Sequence, residues 1–388
     1  MFRYSDGRNF PSVHPDRLAL VAIMNTLPFV EDTLKIGWPV SRSFIEATKV
    51  ISRIKIESES NDCQPIVRNG DGKPSLLFSG GADSTAALAM MPMNTEPVFM
   101  LRSKSKSRSL YDSDAAMESC RKLSTLGYRV NIIESDFEYL RTPVGFPTDL
   151  SVSTPAILIA ESRMFDSIAF GTILESAYGA SGSNFRNYME SSHFRLWSNL
   201  FSAVGLGYSL PVAGVSEVAS SKLCRDHPLG AVHQSCIRGK WGIPCNKCWK
   251  CFRKSTVMTA LDWGEISDIT IAMIRGSKEV RKRLLEDKPI RHEGVLTYSL
   301  QRARGGGELV DALRSLIRSD SLKTDWMEFW YPHSLELIDP SYRDYSISKL
   351  KQHLGEMSQE HISELESWKN IHDEVRQERL DLFSKLLN

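Results

Sequence analysis

Leu76-Leu77-Phe78-Ser79-Gly80-Gly81-Ala82-Asp83-Ser84-Thr85 is the stretch on which the fold turns. Its first three residues are bulky and apolar, as a buried parallel strand requires, and Ser84 opens the good helix-forming run Ser-Thr-Ala-Ala-Leu-Ala-Met-Met. The pattern predicts a strand, a glycine turn and a helix. Free backbone N–H groups and the positive end of the helix dipole favour an anion at such a turn. Gly80 and Gly81 let the main chain approach phosphate oxygens closely, and Ser79, Ser84 and Thr85 add hydroxyl donors. A plain turn between a core strand and a core helix would not need two glycines, hydroxyls and the acid Asp83 at the dipole end. The stretch is not a Walker loop, because no Gly-Lys-Ser/Thr follows four residues after the first glycine.

Working outward, Pro97 to Leu101 and Tyr128 to Glu134 read as further strands, with Asp114 to Leu126 a helix between them. Ser167-Ile168-Ala169-Phe170-Gly171 reads as another apolar strand ending in glycine. This βαβ alternation predicts an α/β fold, an open parallel sheet with helices on both faces. Ligands in such sheets bind beyond the carboxyl ends of the strands. Gly171-Thr172 and the polar stretch Glu175 to Asn187 fall in that crevice.

Cys245, Cys248 and Cys251 form Cys-x-x-Cys-x-x-Cys, with Cys236 a short loop upstream and Gly239, Gly242 and Pro244 between. Four thiolates at this spacing can close a tetrahedral zinc site, while iron–sulfur ligation and incidental thiols are the other readings. Cys63, Cys120 and Cys224 are scattered and read as ordinary buried residues.

The first motif resembles the Ser-Gly-Gly-x-Asp-Ser loop of the PP-loop ATP pyrophosphatases, whose fold is of the adenine nucleotide alpha hydrolase type. That resemblance implies ATP bound through Ser79, Gly80, Gly81, Asp83, Ser84 and Thr85, with Asp83 and Ser84 at the reacting phosphates and Asp83 holding Mg²⁺. With Ser235-Cys236, the triple-cysteine run and Arg253 following in order, residues 74 to 262 resemble the 7-cyano-7-deazaguanine synthase family. Members adenylate the carboxylate of 7-carboxy-7-deazaguanine, let ammonia displace AMP, and dehydrate the amide to a nitrile with further ATP. Their zinc is structural, which implies Zn²⁺ on Cys236, Cys245, Cys248 and Cys251.

The chain departs from that family between the motifs. Typical synthases carry Arg-Asn ahead of the helix where this chain has Ser153-Thr154-Pro155-Ala156. Their Ser-Gly-Tyr-Pro-Asp-Cys-Arg loop is here Ser181-Gly182-Ser183-Asn184-Phe185-Arg186-Asn187. Thr172, Ser181, Gly182 and Arg186 are therefore the candidate substrate contacts, and the nucleophile is open between ammonia and an amine of a partner protein. Some relatives occur in bacterial defence gene clusters, so the resemblance extends to a role in antiphage defence. A PP-loop enzyme that thiolates tRNA is the second reading, and a non-catalytic PP-loop scaffold the third. Zinc favours the synthase-like reading, and iron with labile sulfide the thiolating one.

The composition of 388 residues, 41% hydrophobic with net charge +1, supports a full core and gives no global pull toward nucleic acid or membrane. No apolar run approaches the roughly 20 residues needed to span a bilayer, no basic-then-apolar leader opens the sequence, and the cysteines form a zinc-type cluster rather than a paired-disulfide framework, so a cytoplasmic location is expected for what the resemblance implies is an ATP-dependent ligase. Its expected partners are a deazaguanine-type small molecule, a protein in the conjugating branch, and a second copy as a homodimer. Residues 1–73 read as an accessory layer with helices at Asp16 to Phe29 and Val40 to Ile54 and a polar connector at Ser58 to Lys73. Residues 263–388 read as a helical region broken at Gly305-Gly306-Gly307. It ends in one or two amphipathic helices over Ile347 to Leu387, whose stripe includes Leu350, Leu354, Leu365, Trp368 and Val375. Arg102, Lys104, Lys106 and Arg108 read as a crevice rim or a solvated loop, and Lys278 to Asp287 as a salt-bridged helix. His14, His193 and His233 occupy no ligand spacing and carry no assigned chemistry.

Overall fold

The computed structural model describes residues 2–7, 9–102, 113–179, 184–317, 322–368 and 376–387. Lys104, Lys106, Arg108, Ser181, Gly182 and Val375 lie outside them. The strands are β1 (Phe2–Tyr4), β2 (Thr33–Ile36), β3 (Lys55–Ser58), β4 (Lys73–Leu77), β5 (Glu96–Arg102), β6 (Asn131–Ser135), β7 (Phe165–Ala169) and β8 (Gly207–Ser209). Six of them form one sheet in the order β1-β6-β5-β4-β7-β8, parallel throughout except for β1, which runs antiparallel along β6. From β4 the chain builds outward through β5 to β6 and then returns to the other side of β4 as β7. The two carboxyl ends that flank this reversal, those of β4 and β7, bound the crevice where such sheets place ligands.

Helices cover both faces, and the pleat explains why. Along β5, Val98 packs with the helices Pro15–Thr26 and Thr154–Arg163, while Phe99 packs with Ala82–Ala89 and Ser113–Thr125. Ile168 and Ala169 of β7 divide between the same two faces. Neighbouring residues of a strand point to opposite sides, so a sheet apolar at consecutive positions must be covered twice. Among the described residues, no helix is long and apolar enough to cross a membrane.

The flanking regions are woven into this sheet. The helix expected at Asp16 to Phe29 is α-helical over Pro15–Thr26 and tightens to a 3₁₀ turn at Leu27–Phe29, where Pro28 has no N–H to continue the ladder. The helix expected over Val40 to Ile54 is shorter, Arg42–Thr48, started by Ser41 accepting from the Phe44 amide at 3.1 Å. The chain then turns into β3, which pairs with β2 in parallel. The one or two helices expected at the end are three: Arg343–Leu354, Gln359–Glu366 and Arg376–Leu386. Gly355, at φ +73°, ends the first, and Ser358 caps the second.

Residues 263–388 divide among three neighbours, with Val295, Tyr298, Trp326, Met327, Ile362 and Leu365 packing in the core that holds Val98 and Ile168. The other buried apolar residues from Ile266 to Ile317, and Phe383, pack around the cysteine loop, whereas Trp330, Ile338, Leu350 and Leu354 pack on the sheet face that carries Leu76 and Ala169. The carboxylate of Asp339 lies over Gly207 at the start of β8 and accepts from Arg68 at 2.9 Å; Tyr342 donates to Asp166 of β7 at 2.6 Å. A Cβ on Gly207 would come within 1.6 Å of Asp339 Oδ2. Gly207→Ala is expected to destabilise the fold by about 1–3 kcal/mol, measured by denaturant unfolding, because β8 and Asp339 cannot both keep their places.

Candidate functional site

Ser79 to Gly81 leave β4 at its carboxyl end, and Gly81 begins the helix Ala82–Ala89. Gly80 takes φ +75°, which a side chain resists, and a Cβ there would also press to 3.3 Å from Ser119 Oγ. Ser84 locks the turn: its Oγ accepts from the Ser79 amide at 3.2 Å, donates to the Gly81 carbonyl at 3.1 Å and lies 3.1 Å from Ser79 Oγ. The end of β7 is pressed against this turn. A Cβ on Gly171 would sit 2.9 Å from the Ser84 backbone.

A cleft of about 610 Å³ opens beyond these strand ends, within the range of small-molecule sites. It brings together Ser79, Asp83, Ser84, Thr172 and Arg186. Gly80 and Gly81 are buried in the turn, and Thr85 is buried with Oγ1 lacking a hydrogen-bond partner. Arg102 also lines the cleft and pairs with Glu138 at 3.2 Å.

Asp83 anchors a buried charge network that sequence reading missed. Its Oδ1 accepts from Ser220 at 2.9 Å and lies 3.6 Å from Lys254 Nζ, leaving Oδ2 without a partner among the described residues. Lys254 reaches Glu217 at 3.3 Å, and Arg253 grips the same carboxylate with two hydrogen bonds of 3.1 Å. Burial opposes ionisation of Glu217, but Arg253 and Lys254 outweigh it and hold its carboxyl far below the usual range. Lys250, one helical turn before Lys254, would lie 3.6 Å from a Cβ on Gly81, and burial lowers its pKa. Two carboxylates, Asp83 and Glu217, thus face three cations, an imbalance that suits an anionic ligand.

Glu175 accepts from the Glu217 amide with both oxygens at 2.9 Å. Burial and the Glu217 charge push it up to about 8. An unfolded glutamate titrates near 4.3, so between those values the folded chain holds a proton that the unfolded chain releases, and stability falls as pH rises through that window. Glu175→Gln is expected to flatten the fall in melting temperature between about pH 5 and pH 8. It should be the more stable form at the upper end by about 1 kcal/mol or more.

The four cysteines converge as the spacing predicts. All four Sγ atoms lie within 4.8 Å of one another, with Cys245 and Cys251 at 3.7 Å. Zinc–sulfur bonds of about 2.3 Å in a tetrahedron put sulfurs about 3.8 Å apart, so the set fits zinc. The Cys245 amide donates to Cys236 Sγ at 3.3 Å and the Cys251 amide to Cys248 Sγ at 3.4 Å, bonds that favour thiolates. Cys248 caps the helix Trp249–Leu261, and hydrogen bonds from the Cys251 side chain and amide hold its thiol down to about 5. This helix carries Lys250, Arg253 and Lys254, so the cysteine loop and the glycine turn at Ser79 to Ser84 share one structural support. Ser235, next to Cys236, also accepts from the Ala82 amide at 3.3 Å. The expected salt-bridged helix, Lys278–Glu286, contributes Glu279, which binds Arg238 at 2.6 Å and the Trp249 amide at 3.2 Å.

Two cysteine and histidine readings change. Cys63 is half-buried rather than buried, 3.8 Å from His14 Nε2 and grouped with Asp16. Both Asp16 oxygens are taken by Ser41, and His14 Nε2 by the Gln64 carbonyl, which accounts for these donors structurally. His193 lines the cleft with Tyr188 and Asp149.

Residues 196–369 match the model of a family of unknown function, DUF6395. The match takes in the four cysteines, Glu217, Arg253, Lys254 and Asp339, and lies wholly after the turn at Ser79 to Ser84. No curated protein and no solved structure matches the chain.

Proposed function

We propose that this chain is a PP-loop ATP pyrophosphatase related to the 7-cyano-7-deazaguanine synthases, adenylating a carboxylate of the 7-carboxy-7-deazaguanine type and passing the acyl group to a nitrogen nucleophile. The observation that carries the reading is the Ser79 to Ser84 turn at the sheet reversal. It opens on the cleft beside Asp83, while the cysteine-held helix supplies Lys250 and Lys254. Carboxylates resist nucleophiles because oxide is a poor leaving group, and transfer to AMP supplies a good one. In this reading the turn amides and the Ser79 hydroxyl hold the β,γ-pyrophosphate, and the neighbouring lysines offset the charge that gathers as it leaves. Asp83 Oδ2 is the carboxylate oxygen open to Mg²⁺, which would neutralise the departing pyrophosphate. Thr172 and Arg186 contact the substrate, and Zn²⁺ on the four cysteines is structural.

The test is ATP–pyrophosphate exchange with 7-carboxy-7-deazaguanine and Mg²⁺. Exchange that depends on the carboxylate is expected. Its absence from folded, metal-loaded protein would remove the substrate assignment. Mass spectrometry of the acyl product then separates ammonia, giving amide or nitrile, from an amine of a partner protein, giving a conjugate.

A further inference from the structure

Across the cleft from the turn, three side chains from separate segments form a hydrogen-bonded chain. Ser191 caps the helix Ser192–Ala203 by accepting from the Phe194 amide, which puts His193 in the first turn. His193 Nδ1 lies 2.8 Å from Tyr188 Oη, and Nε2 lies 3.1 Å from the carboxylate of Asp149, in the 3₁₀ turn Asp149–Ser153. Tyr208 Oη stands 3.4 Å from Tyr188 Oη on the other side. Tyr188, His193, Asp149 and Tyr208 line the same cleft as Ser79, Asp83 and Ser84. Tyr188 is buried at 5% exposure, while the Asp149 side chain is 71% exposed, so the chain runs from the cleft wall toward water.

Asp149 fixes the imidazole with Nε2–H donating to the carboxylate, which leaves Nδ1 to accept from the Tyr188 hydroxyl. That orientation aims a lone pair of Tyr188 Oη away from His193. We propose that Tyr188, His193 and Asp149 form the proton relay for the acyl-transfer step, an inference that rests on the acyl-adenylate reading above. The nitrogen nucleophile forms a bond to the acyl carbon, the bond from that carbon to the AMP oxygen breaks, and AMP leaves with the electron pair. The proton lost by nitrogen passes to Tyr188 Oη as the Tyr188 proton moves to His193 Nδ1, and Asp149 balances the imidazolium. Among the described residues, His193, Arg186, Tyr208, Tyr178 and Asp149 are the charged or titratable groups that face Tyr188, and Asp149 and Tyr188 those that face His193.

The experiment compares wild type, Tyr188→Phe and His193→Gln, reading pyrophosphate exchange, amide formed from ammonium, and hydroxamate formed from hydroxylamine, across pH. Hydroxylamine is unprotonated at neutral pH and needs less help from a base. The ratio of amide to exchange is expected to fall about 100-fold in both variants, with the ratio of hydroxamate to exchange falling far less and the amide profile keeping at low pH only the slope set by the supply of free ammonia. An unchanged ratio and profile would overturn the relay. So would amide and hydroxamate falling together, which is the mark of a structural role. Wild type that shows no exchange defeats the adenylation reading itself, and the relay with it.

Discussion

Asp83→Ala is expected to lower pyrophosphate release by roughly a hundred- to a thousand-fold, the scale on which loss of a preorganised charge partner slows such a step. The substitution removes the one carboxylate at the helix start that offers an oxygen to the cleft, Oδ2, while Oδ1 is engaged by Ser220. Lys254 would still be held by Glu217 at 3.3 Å and by Ser221 at 3.2 Å, so the fold should survive. Circular dichroism and the unfolding midpoint are the controls. Asp83→Asn separates charge from shape: it can still accept from Ser220, and a loss as deep as that of alanine assigns the effect to the missing charge. Turnover unchanged in both variants would take Asp83 out of the mechanism.

Metal removal is expected to act on a larger scale, because it strikes the support of the site rather than one contact. Purified protein should carry one zinc per chain by elemental analysis. Cys251→Ser or exhaustive chelation should destabilise the chain by more than about 3 kcal/mol, since metal binding energy is folding energy in such loops. Phe252, Val280, Leu284 and Phe383 pack in the same cluster as Cys236, Cys248 and Cys251, so the helices around the loop should loosen with it. Nucleotide affinity should drop in parallel, because Lys250 and Lys254 stand on the helix that Cys248 caps. A metal-free protein with an unaltered melting curve would overturn this, and iron with labile sulfide would redirect the reading to a cluster.

What could be read in the sequence was chemistry written at short range. The strand, turn and helix at Leu76 to Thr85 are visible because apolar residues, glycines and helix formers follow one another directly. The cysteine set is visible because sulfur ligation is encoded in spacing, and the structure brings those four atoms together. Strands β5, β6 and β7 were legible from their apolar runs. Strands β1 and β8 were not, being three residues each and paired only through partners distant in the chain. The network of Asp83, Glu217, Arg253 and Lys254 joins segments more than a hundred residues apart, and no local pattern announces it. His193 offered no ligand spacing for a similar reason: Asp149 reaches it from the far end of the preceding helix and strand.

The hold of Asp339 on Gly207, with Arg68 closing the contact from the other side, bears on how the molecule is made. A chain leaving the ribosome has synthesised the glycine turn at Ser79 to Ser84, the four cysteines and the last strand long before it reaches Asp339, Tyr342 and the helix Arg343–Leu354. Until those residues emerge, one face of the sheet around Leu76 and Ala169 is missing the cover of Trp330, Ile338 and Leu350. The sheet that carries the cleft is therefore covered late in synthesis, and residues 74–262 are not a piece that can be cut free and expected to keep their fold.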